Sequence, residues 1–567
     1  NLIIGSFLIV WVILNLIQAA TVELHADEAY YWLYSKFLAW GYFDHPPMVA
    51  LYIKAGDIIS HSLWGLRLAS ILSTAGAIYI LWLTVRDYAE NAKMFVLLLS
   101  CFILFHVYGF ITTPDTPLFL FSALFFYLYK RYIDKDSWQL AALLAVVIAL
   151  MLYSKYHGVL ILFFTILSNI KILGRKSFWL IVVLSVILFV PHILWQINND
   201  YPSIQFHLFD RSNSPYRWQD TTDYLLSQLL IAGPMVLWIA YKSKFFKSEE
   251  KDLFIRAAKF NIIGIFVFFL FSSLKDDVEP HWTLIAYPPI FFLCYVYLAK
   301  LKSIPEWFPK LAIFNIVLVL LARMIFIIPL PIFQNFKIVR KQAGNAEWAK
   351  QVKQYADDSY IIFNEGFQEP SKYAFYNNTL KAFSYNSRNY RKNQFDLFPI
   401  EDSLRNKRVY YIQRAPFDTA VQDSFETTKG KHYGVWLDSV RLYQKVRVDE
   451  EGTEKEWRPN EVRRLKLSIY NPYNEEINFK NEGERWKCYF EYAFIEKGET
   501  VEEGFLGNDF NKLPIAPGGK AQLTADITAP EKPGKYKLIF SIRTEPFSGS
   551  RNSRMIPVNV TDQTKPK

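Results

Sequence analysis

Four ionisable residues, Asp27, Glu28, Asp44 and His45, fall within one aromatic-rich stretch, LHADEAYYWLYSKFLAWGYFDHPPMVALY. Tyr30, Tyr31, Trp32, Trp40 and Tyr42 surround them, and a long apolar run precedes them. Acids packed among aromatics just outside a bilayer exceed what an anchoring loop needs. They suit a site that holds a sugar ring and moves a proton, because a carboxylate within reach of a hydroxyl is a good general base. Asp27 and Glu28 are adjacent, so on a helix one can face the site while the other faces a base or a metal. Asp44 and His45 precede Pro46-Pro47, which hold the pair extended. That pair could bind a divalent cation or a phosphate.

Further candidates are scattered along the chain. Asp115, in TTPDTP, either caps the helix that follows or faces Asp27 as a second carboxylate. Lys155, in SKYHG, Arg211, in QFHLFDR, and His281, in EPHW, are cations at loop positions beside apolar runs. Cations gathered at headgroup depth suggest a lipid phosphate as ligand. Tyr30, Tyr31, Tyr42, Tyr156 and Trp282 are candidate sugar or lipid contacts. Phe206, Phe209 and Trp218 read as interface anchors. The set fits a polyprenyl-phosphate sugar, whose phosphate is a good leaving group. Asp27 would take the acceptor proton, with Glu28 and Asp115 beside it. Lys155, Arg211, His45, His281 and a metal at Asp44/His45 would stabilise the departing phosphate. Direct displacement would invert the anomeric centre. Neither a Walker loop nor a dinucleotide glycine fingerprint is present, which argues against a nucleotide cofactor or donor.

These residues must be held by membrane helices. A span needs about 20 mostly apolar residues. Such runs occupy 2–20, 66–85, 94–111, 117–129, 138–153, 159–172, 178–195, 224–241, 260–274, 283–299 and 311–330, predicting about 11 spans. The first reads as a retained span rather than a signal peptide. Loops alternate in charge: one set carries Arg86, Lys130, Arg131, Lys171, Arg175, Lys242 and Lys300, and the other carries every motif named above. Basic loops stay in the cytoplasm, so the motif loops are predicted to face outward together. The formal net charge of +10 is then a topology signal and not a sign of nucleic-acid binding.

Beyond residue 334 the texture changes. The pattern predicts a helix over 345–356 and strands at SYIIFNEG and KRVYYIQ, an α/β domain over 334–447. A glutamate-rich linker is expected over 448–460. Alternating strands over 461–567, at RRLKLSIYN, WKCYFEYAFIEKG, KAQLTADITAP and GKYKLIFSIRTEP, read as an immunoglobulin-like β-sandwich. Cys101, Cys294 and Cys488 imply no disulfide framework.

ADEAYYW followed by GYFDHPP, then TTPDTPLFLF, LYSKYHG, SIQFHLFDR and VEPHW, resembles the bacterial glycosyltransferases of the protein-mannosyltransferase and aminoarabinose-transferase type. FNEGFQEPSKYAFY and RKNQFDLF resemble the periplasmic α/β domain of that family, so the likeness covers about the first 445 residues. It implies a GT-C membrane bundle over 1–333, a polyprenyl-phosphate sugar donor and transfer at the periplasmic face of the bacterial inner membrane. The family's catalytic first-loop acid matches Asp27 and its second-loop acid matches Asp115. Where the aminoarabinose enzymes have a Glu-Lys pair before the two prolines, this chain has Asp44-His45. The expected acceptor is a glycolipid such as lipid A or a hydroxyl of a secreted protein, with membrane lipids as partners. A flippase for isoprenoid-linked substrates would want charges halfway down several spans, and a non-catalytic envelope scaffold would tolerate loss of Asp27.

Overall fold

A computed structural model describes residues 2–210, 216–242, 251–328, 343–419, 421–452 and 454–562. The chain forms two compact units, Asn1–Ala343 and Gly344–Lys567.

The first unit is helical. In chain order its helices are α1 (Leu2–Thr21), α2 (Ala26–Lys36), α3 (Met48–Ile59), α4 (Leu63–Val85), α5 (Ala92–Leu99), α6 (Ile103–Val107), α7 (Asp115–Asp134) and α8 (Trp138–Ser154). Then come α9 (Gly158–Ser168), α10 (Lys176–Asn198), α11 (Pro202–Gln205), α12 (Trp218–Lys242), α13 (Leu253–Ser272), α14 (Tyr287–Ala299) and α15 (Trp307–Ile327). Among the described residues, six segments are long and apolar enough to cross a membrane: α1, α4, α10, α13, the continuous helix Pro280–Ala299 and α15. The chain is thus a multi-pass membrane protein. Leu, Ile and Phe side chains of α4, α5, α7, α8, α13 and α14 meet in one buried core, which fixes the helix ends from which the motif loops emerge.

Two helices depart from simple spans in ways the apolar pattern does not show. The run expected over 94–111 breaks at residues 100–102 into α5 and α6. The freed Ser100 carbonyl accepts from Asn315 Nδ2 at 2.6 Å and lies 3.1 Å from His106 Nε2. Backbone left unpaired inside a bundle needs such partners. Gly233 interrupts α12 with φ 71°, a left-handed conformation that glycine adopts without a Cβ penalty.

In the second unit a helix spans Asn345–Ala356, the residues expected, with Trp348 and Val352 buried. A mixed sheet runs in the order β2-β1-β3-β5-β4, from β1 (Tyr360–Asn364), β2 (Ala382–Tyr385), β3 (Val409–Gln413), β4 (Asp423–Thr427) and β5 (Gly430–Leu437). Strand β1 lies between β2 and β3 and is parallel to both. Two further sheets follow, one of three strands, β11-β8-β6, and one of five, β10-β9-β12-β13-β7. Their strands are β6 (Arg447–Glu450), β7 (Glu456–Trp457), β8 (Val462–Tyr470), β9 (Cys488–Glu496), β10 (Glu499–Phe505), β11 (Lys520–Thr528), β12 (Gly534–Thr544) and β13 (Ile556–Val560). Both sheets feed one core, with Leu467 and Ile469 on one side and Phe494, Leu538 and Phe540 on the other. The segment expected as a linker over 448–460 contributes β7 and most of β6. Its glutamates point out while Val448 and Trp457 are buried at 2% and 1% exposure, a two-residue alternation masked by the acidic composition.

Candidate active site

The first turn of α2 presents the two adjacent acids. His25 is its N-cap, and the helix opens with a capping box in which the Glu28 carboxylate accepts from the His25 amide at 3.0 Å. Carboxylates are favoured there by the exposed amides and the helix dipole. A rotation of about 100° per residue then separates their fates. Glu28 turns inward and is fully buried. Its Oε1 accepts from Arg67 Nε at 2.8 Å and the Thr112 amide at 3.0 Å, and its Oε2 accepts from Arg67 Nη2 at 2.6 Å. Arg67, on α4, also donates to the carbonyls of Ala19, Val22 and Glu23. One ion pair therefore ties together the end of α1, the start of α2 and the loop before α7. With its acceptor sites occupied, Glu28 is sealed from any substrate; the catalytic use expected for it does not match its place.

Asp27 turns the other way, with its side chain 40% exposed. His25 Nδ1 lies 3.3 Å both from the Asp27 amide and from its Oδ2, so protonation of His25 swaps an accepted hydrogen bond for an ion pair. Burial pushes the Asp27 carboxyl up, but the His25 hydrogen bond and the charges of His25, His45 and His281 outweigh it and hold the group below its ordinary value. Tyr31, one turn further along α2, lies within electrostatic reach of Asp27, Asp44 and Asp115 together. Its phenol marks where the three acids converge.

Asp115 is the first residue of α7, fixed by prolines at 114 and 117 that suit a helix's first turn. It does not cap its own helix. Its two oxygens accept from Lys155 Nζ at 2.8 and 2.9 Å, with both side chains buried, and His281 Nε2 stands 3.8 Å away. Lys155 is thus already neutralised. Asp44 accepts from the Tyr34 hydroxyl at 2.5 Å, and its carbonyl lies 2.9 Å from His207 Nε2. The His45 ring packs edge-on to Tyr31, 5.6 Å between centroids, and 6.5 Å from His207. Burial, then Lys155 and His207, hold His45 well below the usual imidazole value. Its Nδ1 is buried without a hydrogen-bond partner among the described residues.

The expected metal fits poorly. Among the described residues no group of three or more His, Cys, Asp or Glu side chains could hold an ion. Asp44 and His45 provide two donors, and Asp44 is engaged by Tyr34.

The aromatics divide. Tyr31 and Trp282 border the charged cluster, Trp282 packing 5.5 Å from the His157 ring. Tyr156 bonds His192 Nε2 at 2.9 Å, and its ring lies 5.8 Å from that of His207. Tyr30 is buried at 1% exposure against Tyr34. Tyr42 is fully buried, stacked on Tyr34 at 4.0 Å, and its hydroxyl donates to the Tyr34 carbonyl at 2.9 Å. Tyr42 is thus part of the support under the site, not a ligand contact. Tyr42→Phe is expected to lower stability by about 1–2 kcal/mol while kcat of the folded protein stays unchanged, as thermal unfolding and turnover would show. Arg211 and the Phe209 side chain lie outside the described residues. Sequence reasoning missed Arg67, which reads as one base at the start of an apolar run. It also missed His25, Tyr34, His157 and His207, whose only signal was their place in the same loops.

The fold and the site together define a helical membrane bundle with an acid–cation cluster built from several loops. Residues 44–195 match a family model described as dolichyl-phosphate-mannose-protein mannosyltransferase. Among solved structures the chain is similar to ArnT from Cupriavidus metallidurans in the apo state, at TM-score 0.53 and 14% identity over 76% of this chain and 97% of that one. The structure of the same protein bound to undecaprenyl phosphate matches with the same values. The sequence resemblance to glycosyltransferases of the mannosyl and aminoarabinose type therefore holds in family pattern and in fold. No curated protein sequence matches the chain.

Proposed function

We propose that the chain is a glycosyltransferase that moves a monosaccharide from a polyprenyl phosphate to a hydroxyl of a glycolipid such as lipid A, or of a secreted protein. The carrying observation is that Asp27, the half-exposed acid, lies within electrostatic reach of His45 and His281, the same two histidines that neighbour Asp115 and its partner Lys155. Asp27 takes the proton of the acceptor hydroxyl as that oxygen attacks the anomeric carbon. The bond from that carbon to the phosphate oxygen breaks, the phosphate leaves with the electron pair, and the anomeric centre inverts. Lys155, Arg211, His45 and His281 stabilise the phosphate, and Tyr31 and Trp282 border the sugar. Asp115 holds Lys155 in place, and Glu28 positions Asp27 through Arg67. In this reading about 11 spans occupy 1–333, and the protein resides in the bacterial inner membrane. Its α/β domain (334–447) and immunoglobulin-like sandwich (461–567) are periplasmic. Mass spectrometry of envelope lipids and proteins from cells with and without the gene tests the reading. Loss of a sugar-sized increment names substrate and acceptor, and an unchanged envelope refutes it.

The pH dependence follows from the charges. Asp27 sits below its ordinary value of 3.8, so it stays a carboxylate throughout the neutral range and its protonation sets an acid limb below that value. Burial, Lys155 and His207 hold His45 well below the ordinary imidazole value of 6.5, so it is neutral at neutral pH, and an arriving phosphate draws a proton onto it. Donor KM is therefore expected to rise with pH as His45 loses that proton, while kcat stays nearly flat above the Asp27 limb. A donor KM independent of pH would remove His45 from phosphate binding.

A further inference from the structure

Arg323 is an inward-turned cation on a helix that otherwise faces lipid. Only 11% of the apolar window of α15 is buried, yet Arg323, four residues before its end, is 9% exposed. Its Nη1 donates to Gln18 Oε1 at 2.9 Å, and its Nη2 donates to Asn15 Oδ1 at 3.0 Å and to the His106 carbonyl at 3.1 Å. Asn15 and Gln18 are buried polar residues in the apolar helix α1. The Asn15 amide donates to the Trp11 carbonyl at 2.9 Å, which leaves its oxygen for Arg323. All the acceptors are neutral. Arg67 and Arg323 both lie over the Phe110 ring, at 5.6 and 6.0 Å, but Glu28 neutralises only Arg67. No carboxylate among the described residues pairs with Arg323. Of the five N–H groups of a guanidinium, those of Nε and the second of Nη1 have no acceptor among the described residues.

An ionisable side chain at membrane depth is costly, and one that faces the bundle interior without a counter-charge is a candidate functional group. Arg323 sits near the α1 end that leads into the Asp27 loop, so it lies toward the membrane face that carries the site. At that depth the available anions are headgroup phosphates, which a guanidinium binds with paired, charge-assisted hydrogen bonds. We propose that Arg323, preset by Gln18 and Asn15, binds the phosphate of one anionic phospholipid, separately from the donor site. The lipid headgroup completes the charge balance where α1, α15 and the broken α5–α6 segment meet. Arg323 shares no hydrogen-bond partner with Asp27, Asp115 or Lys155, so this site stands whether or not the glycosyltransferase reading does.

The test uses the full chain, stripped of lipid in detergent and offered phosphatidylglycerol or phosphatidylcholine, with native mass spectrometry counting retained lipid. The wild type is expected to hold one phosphatidylglycerol. Arg323→Gln should lower its retention roughly tenfold, a loss of one charge-assisted contact, and Arg323→Lys should keep much of it. Inorganic phosphate at millimolar concentration should not displace the lipid; displacement would mean a free-anion site and overturn the lipid assignment. Equal retention by Arg323→Gln, or equal retention of phosphatidylcholine, overturns the proposal. Should Arg323→Gln not fold, the wild-type thermal shift decides. A rise with phosphatidylglycerol that Arg323→Lys shares supports the site, and no difference between the two lipids overturns it.

Discussion

Asp27→Asn is expected to lower kcat by roughly a thousandfold, within the range of general-base removal and equal to about 4 kcal/mol of barrier. Asn has the size of Asp and also accepts hydrogen bonds, so the first turn of α2 and its His25 contact survive. What is lost is the proton acceptor. The neighbouring acids cannot substitute, because Glu28 is filled by Arg67, Thr112 and His25 and Asp115 is held by Lys155. Donor KM should change little, since the phosphate end is untouched. Asp27→Glu keeps the acid but moves it by one methylene, and partial activity is expected. The measurement is steady-state transfer with purified protein beside thermal unfolding. Full turnover in a folded Asp27→Asn protein would remove the base assignment and leave the cluster as a binding site.

Arg67→Met should produce the largest loss of stability. Both Arg67 and Glu28 are 1% exposed at their side chains. Removing the guanidinium leaves a buried carboxylate with two amide donors and withdraws a charged donor from the carbonyls of Ala19, Val22 and Glu23. Breaking one partner of a buried pair costs about 3–5 kcal/mol, a large share of the margin of any fold. Glu28→Gln should be milder, because the guanidinium keeps the carbonyls of Ala19, Val22 and Glu23. The double exchange Arg67→Met with Glu28→Leu separates structure from catalysis. Stability should largely return, since no unpaired charge remains, but kcat should stay low because the brace that aims Asp27 is gone. Recovery of both would reduce Arg67 to a packing residue.

Much of this molecule is periodicity and chain-local chemistry, and those parts were legible. Apolar runs mark the helices; SYIIFNEG and KRVYYIQ become β1 and β3, and Asn345–Ala356 is a helix over the residues expected. Each is decided within a dozen residues, by which face must leave water. Less local features escaped. The break at residues 100–102 depends on Asn315, 215 residues away, to receive the Ser100 carbonyl. Strand β7 exists because β13 offers it an edge, while its acidic composition argued for a linker.

The site divides along the same line. Residue types and the alternation of basic and motif-bearing loops led to the expectation that Asp27, Asp44, Asp115, Lys155 and His281 share one membrane face, and of these Asp115, Lys155 and His281 meet directly. Which of two adjacent acids meets the substrate was decided only in three dimensions. Asp27 and Glu28 differ by one methylene, and the identity of each follows from what lies 100° apart around α2: a partly exposed face beside His25 on one side, Arg67 on the other. The same holds for Lys155, whose charge reads as free until Asp115, 40 residues earlier, is found against it. Charge type is written in the chain, but charge balance is a sum over neighbours, and neighbours are chosen by packing.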